Sequence, residues 1–149
     1  MPKVFRIEGF SAEDETAIKA AAEEWSSYGH PIIISPRGTS VIVRTDVAAE
    51  KREAAGVYRD RAGGTEFIAI ADNAYFRSYF PDWSEHVRQT ALHEMGHALG
   101  LHDSGVPSEL MSGFAQCEIV TQADGRKVCG ALVGEAEHVT QGDLDAFSR

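Results

Sequence analysis

Two histidines four residues apart, His93 and His97, with Glu94 between them and Gly100 three residues beyond, constrain this chain more than anything else in it. Residues at that spacing share one helical face about one turn apart, so both imidazoles can reach one metal ion. The segment must therefore be helical through His97. Asp82, with Glu85 three residues on, offers a capping box for a helix running to about Leu99. Glu94 would lie beside the metal, placed to take a proton from water activated there, with zinc the metal that this ligand type favours.

The rest of the chain predicts an α+β domain. Lys3–Ile7 reads as a first strand, and Ser11 starts a helix whose Ile18, Ala21, Ala22 and Trp25 form an apolar stripe ending at Gly29. The β-branched runs 31–35 and 40–44 flank a Pro36-Arg37-Gly38 turn, 56–59 reads as a short edge strand, and 66–71 is the most apolar strand. Asp46–Ala55 reads as a loop or short surface helix, and Asp72–Phe80 as an aromatic-rich connection. No repeat or linker divides the chain, so residues 1–149 form a single domain. With 149 residues, 43% of them hydrophobic, it is long enough to bury one core. Lys plus Arg number 14 against 23 for Asp plus Glu, a net charge of −9, which argues against nucleic acid. No apolar run reaches membrane-spanning length, so no membrane partner is expected.

The stretch from His93 through Gly100, His102 and Asp103 to Leu110-Met111 resembles the active site of the metzincin metallopeptidases, and within them the matrixins. The resemblance is tight over 91–113, and Val139–Asp145 is similar to the start of the matrixin final helix. It implies a zincin-like catalytic domain: a twisted, mostly parallel sheet with an antiparallel edge strand, two long helices and a C-terminal helix. It also implies an upper subdomain over about 1–100 and a lower one over about 101–149. The function implied is a zinc-dependent endopeptidase with one catalytic zinc on His93, His97 and a third ligand, Glu94 as general base, and Met111 as the residue of the Met-turn beneath the metal.

The third ligand departs from the matrixin pattern. Matrixins carry histidine ten residues after the first; here Asp103 stands there, and His102 one place earlier. A helix continued past Gly100 would leave His102 roughly 180° from His93. A left-handed turn at Gly100 swings the chain back instead, and the ten-residue register then favours Asp103, with His102 as the alternative. Snapalysin-type metzincins have aspartate at this place. The rival reading is a zinc-containing peptide-binding module with little turnover, motivated by the altered ligand and opposed by the intact Glu94.

Other residues carry weaker expectations. Asp46, Asp72 and Asn73 are candidates for a calcium site, though scattered carboxylates are more often solvated. Tyr58 and Tyr79 are candidates for lining the cleft, Asp143 for bonding the Met-turn, and 112–116 for walling the pocket after the scissile bond. His86 reads as a helix-start or core residue, His30 and His138 as surface residues. Cys117 and Cys129 flank a hairpin whose Asp124-Gly125 turn does not set them opposite each other, so a disulfide needs a longer loop or a bulge. The expected partner is a peptide or protein substrate met by a monomer. Met1–Arg6 lacks the apolar run and cleavage site of a secretory signal; the reading leans to a mature form acting outside the cell.

Overall fold

β-branched and aromatic segments pair into one sheet whose strand order differs from their order in the chain. The computed structural model describes residues 2–46, 55–61, 63–113 and 116–148, apart from the side chains of Ala131 and Leu132. Strands β1 (Lys3–Glu8), β2 (Ile32–Ile34), β3 (Ser40–Thr45), β4 (Gly56–Asp60) and β5 (Glu66–Ala71) are ordered β2-β1-β3-β5-β4. All neighbours run parallel except β4, which lies antiparallel to β5 and forms the edge. Parallel pairing needs crossovers, and helix α1 (Ala12–Ser27) supplies the one from β1 to β2.

The helix starts where a donor-rich first turn finds an acceptor: the Ser11 side chain accepts from Asp14 N. Its stripe of Ile18, Ala21, Ala22 and Trp25 is buried together with Phe5, Ile42, Ile68 and Ile70 of the sheet and Val87, Leu92 and Met95 of α3 (Trp83–Ala98). The Trp25 indole N–H donates to the Leu92 carbonyl at 2.8 Å, tying α1 to α3 at the helix turn that bears His93. The architecture is thus α+β, a mostly parallel five-stranded sheet carrying two long helices, with a short closing helix α4 (Gln141–Asp145) and a 3-10 turn (Ala146–Ser148).

The Asp72–Phe80 connection is a correction: residues 74–79 form a helix, α2 (Ala74–Tyr79). Its nucleus is the Asn73 side chain, which accepts from Phe76 N at 3.0 Å. Residues 47–54 of the Asp46–Ala55 stretch lie outside the described residues. In α3 only half of the capping box forms. Asp82 accepts from Glu85 N, but the Glu85 carboxylate turns to Arg88.

The second sheet is the hairpin of β6 (Gln116–Thr121) and β7 (Lys127–Val133). Its turn is longer by one residue than a two-residue Asp-Gly turn: Gln122 N donates to Arg126 O, and Gly125 adopts φ +85°. The register shifts between Glu118 and Ile119, so Glu118 faces Ala131 while Ile119 faces Cys129. Gly130 takes up the extra residue, and a Cβ there would lie 2.4 Å from Val120 Cγ2. Cys117 and Cys129 form a disulfide across this bulge, their Cα atoms 5.0 Å apart.

His30 is a second correction. It stacks on Phe147 at 3.8 Å between ring centroids and meets the edge of Trp25, tying the C-terminal turn to α1. His138 is exposed and bonds Glu24.

His86 is buried, stacked on Phe80 with 3.7 Å between centroids, and among the described residues neither ring nitrogen has a hydrogen-bond partner. Burial pulls its pKa down to about 4. A histidine held below its unfolded value of 6.5 stabilises the fold fully above that value, and the contribution is lost as pH falls towards 4. At about 1.4 kcal/mol per unit, acidification through this window should remove about 3 kcal/mol. His86→Phe should flatten that part of the stability curve. Urea midpoints at pH 7 and pH 5 that fall equally in both proteins would remove His86 as the cause.

Candidate metal centre

Helix α3 carries His86, Gln89, His93 and His97 along one side, and the cleft follows that side. The helix ends in a glycine cap. Gly100 has φ +103°, Gly100 N donates to His97 O at 2.9 Å, and Leu101 N donates to Gly96 O at 3.0 Å. This paired bonding closes the last turn and reverses the chain, a conformation cheap only for glycine.

The reversal does two things for the histidines. It brings the Leu101 carbonyl to 2.8 Å from His97 Nδ1, and the returning chain brings the Leu110 carbonyl to 2.8 Å from His93 Nδ1. A carbonyl can only accept, so each Nδ1 carries the proton and each Nε2 keeps its lone pair for a metal. Burial also holds the His93 ring below the ordinary histidine range, favouring the neutral form that ligates, although the Leu110 carbonyl and Asp103 act the other way.

Asp103 completes the group. Its Oδ1 lies 3.3 Å from His93 Nε2 and 3.2 Å from His97 Nε2. With ligand bonds of about 2.0–2.1 Å, the edge of a tetrahedron around zinc is about 3.3–3.4 Å. Both Asp103 separations therefore match the edge of a tetrahedral zinc site. His102 is exposed and is not brought to the pair. Gly113 makes room for Asp103: at φ +74°, a Cβ there would fall 2.9 Å from the Asp103 Cγ.

Glu94 offers a second carboxylate, within 4.8 Å of both histidine nitrogens. It is 7% exposed, and burial first, then the charges of Asp103 and Glu135, push its pKa up to about 8. The edge strand presses on it, since a Cβ on Gly56 would fall 2.7 Å from Thr90 Cγ2 and 3.0 Å from Glu94 Cγ. Only glycine lets β4 come so close to α3. A glycine opening a strand signals such an approach, although the sequence does not say against what.

Met111 is buried beneath the histidines. A Cβ on Gly96 would lie 2.4 Å from its sulfur, so the helix gives up a side chain to seat the methionine. Asp143, 1% exposed, holds the turn by accepting from Leu110 N and Met111 N, both at 3.0 Å, and also caps its own helix through Thr140. It thereby fixes the carbonyl that orients His93.

The cleft has a volume of about 950 Å3. Tyr58 and Tyr79 both line it. The Tyr58 ring stacks near His97 at 6.4 Å, and burial, followed by Glu66 and Asp60, pushes its hydroxyl pKa up to about 12. Gly113, Gln116 and Cys117 form a wall, with 114 and 115 outside the described residues. Asp46, Asp72 and Asn73 do not converge on a cation. Asp72 binds Arg77 and Arg44, which hold its carboxyl below the usual range; Asn73 caps α2, and Asp46 is exposed.

Glu135 was not signalled by the sequence. It lies 3.7 Å from His93 Nδ1, and burial, then Asp103 and Asp143, push its pKa up to about 7. No local pattern marks it, because it reaches the cleft through contacts between distant segments.

No family model matches the chain, and no curated protein matches it. A solved structure, that of myroilysin, is similar at 19% sequence identity with a TM-score of 0.49. The match covers 71% of this chain and 50% of that one, so this chain matches only half the length of myroilysin. The reading of the site rests on its own geometry.

Proposed function

We propose that this domain is a zinc-dependent endopeptidase of the metzincin type, holding one zinc on His93, His97 and Asp103. The observation that carries the proposal is the spacing of Asp103 Oδ1 from both Nε2 atoms, 3.3 and 3.2 Å, which suits tetrahedral zinc. Zinc in such a site supplies Lewis-acid polarisation of a peptide carbonyl and of water. The chain's own residues do the rest.

The Leu101 and Leu110 carbonyls keep both imidazoles in the ligating tautomer. Glu94, desolvated beside the histidines, takes the proton of the attacking water on a carboxylate oxygen and passes it to the leaving amine. Strand β4 is the sheet edge, and its Gly56, Val57 and Tyr58 line the cleft. An extended peptide can therefore add to β4 by main-chain hydrogen bonds, with its side chains directed alternately into the cleft. The aspartate ligand leaves the site one positive charge lower than three neutral histidines would. The metal is then a weaker Lewis acid, and acid displaces it more readily. The substrate is a peptide or unfolded protein segment, and one chain suffices to build the site.

Metal removal tests this directly. Reconstituted at neutral pH, the protein should hold about one zinc per chain. It should cleave an unstructured protein, lose that activity to a chelator and regain it with added zinc. Absence of zinc after reconstitution would end the metal reading. Tight zinc with peptide binding and no cleavage would favour the peptide-binding module.

A further inference from the structure

The zinc reading leaves one carboxylate unassigned. Segment 134–136 is clamped against two other parts of the chain. Ser108 N donates to Gly134 O at 3.4 Å, Ala136 N donates to Glu109 O at 3.2 Å, and Gln89 Nε2 donates to Ala136 O at 3.3 Å. These bonds lay Glu135 along α3 beside His93, lining the cleft with its side chain 11% exposed. It is not needed to orient His93, whose Nδ1 proton goes to Leu110 at 2.8 Å while Glu135 stands at 3.7 Å.

Its electrostatic surroundings are one-sided. The charges that act on it, Asp103 and Asp143, have its own sign. Among the described residues that line the cleft there is neither lysine nor arginine. Three carboxylates, Asp103, Glu94 and Glu135, gather around the two histidines, one more than the two positive charges a zinc ion would bring. A carboxylate so far removed from water is costly unless a cation meets it, and among the described cleft residues no lysine or arginine does. His86, 6% exposed, also borders this cleft, its ring stacked on Phe80 at 3.7 Å. Tyr79 and Phe80 line the cleft as well and offer apolar surface for a long aliphatic stem.

We infer that Glu135 is a specificity-determining residue that selects substrates carrying arginine or lysine next to the scissile bond, on the α3 side of the cleft. This rests on the endopeptidase reading. The basic head group pairs with the Glu135 carboxylate, and a guanidinium can do so through two parallel N–H donors.

Zinc-loaded wild type, Glu135→Gln and Glu135→Lys, matched for circular dichroism and melting temperature, are given a peptide library, and the new termini are read by mass spectrometry. Wild-type cuts should carry a basic residue beside the scissile bond about tenfold above its library frequency, the scale of a partly desolvated charge pair. Glu135→Gln should still cut without that enrichment, and Glu135→Lys should turn the preference to Asp and Glu. Wild-type cuts without basic enrichment, or enrichment kept in Glu135→Gln, would overturn the inference. Binding gives a readout independent of turnover. By fluorescence polarisation, a labelled hexapeptide with central arginine should bind wild type about tenfold tighter than its norleucine counterpart, and equally well in Glu135→Gln. If no peptide is cut but this difference holds, the endopeptidase reading fails and the role of Glu135 stands. If peptides are cut and the two bind alike, the reverse is true.

Discussion

Glu94→Ala should bind zinc as wild type does and hydrolyse peptides slower by on the order of 10²–10⁴, since that is what a positioned general base contributes. The separation of the two effects follows from the geometry. Asp103 Oδ1 stands at 3.2–3.3 Å from both histidine Nε2 atoms, the spacing of a co-ligand, which leaves Glu94 for the proton. Glu94 is also the more desolvated of the two, at 7% exposure against 59% for the Asp103 side chain. Burial, with Asp103 and Glu135, raises its pKa to about 8, which makes it an avid proton acceptor once ionised. Glu94→Gln makes the comparison stricter, because it keeps the shape against Gly56 and removes only the proton acceptor. The measurements are zinc content and kcat on one peptide. A Glu94→Gln protein cutting at near wild-type rate would refute the proton-transfer role, and one that loses zinc would make Glu94 a ligand.

How much of this could be read from the sequence depends on the range of the interactions involved. The His93–Glu94–His97 face is legible because helical periodicity places those side chains from local information alone. Gly100 is legible too, since a reversal after a helix calls for a residue that tolerates positive φ, and the observed value is +103°. The β-branched runs mark the strands themselves, whereas the parallel order with its antiparallel edge is implied by the metzincin resemblance, because strand pairing is set by contacts between distant segments. Residues 74–79 form a helix despite their aromatic content, because one side chain, Asn73, caps the first turn. The hairpin turn took an extra residue, and Gly130 absorbed the register shift that lets the cysteines meet. His30 reads as a surface residue only until Phe147, 117 positions away in the chain, stacks on it. Glu135 and Gly56 are the clearest omissions. Each acts in the cleft through contact with a segment far away in sequence, and neither has a motif of its own.

Asp103→Ala should weaken zinc binding severely, and His102→Ala should leave it nearly unchanged. The physical cause lies in the chain path after α3. The Gly100 reversal, followed by the pairing of Ser104 N with Met111 O and Gly105 N with Ser112 O, fixes the segment that carries residue 103 back to the histidines. In that register the Asp103 carboxylate meets both Nε2 atoms, while His102 is exposed to solvent. If protein ligands share roughly 10 kcal/mol of zinc affinity, one of three accounts for about 3 kcal/mol, on the order of a hundredfold in Kd. Competition with a chelating dye measures that loss without any need for turnover. Asp103→Asn separates charge from shape: it keeps an oxygen at the position but removes the anion, and should fall between wild type and Asp103→Ala. Asp103→His should retain zinc and activity, with a net charge at the site one unit more positive and activated water more readily ionised. Acid adds an independent signature. A carboxylate must be ionised to ligate, so protons compete at Asp103 as well as at the histidines. Asp103→His should therefore change the pH at which zinc is released. Loss of zinc in His102→Ala with retention in Asp103→Ala would mean that the chain takes a different path beyond Gly100 when the metal is bound, and that His102 is the third ligand.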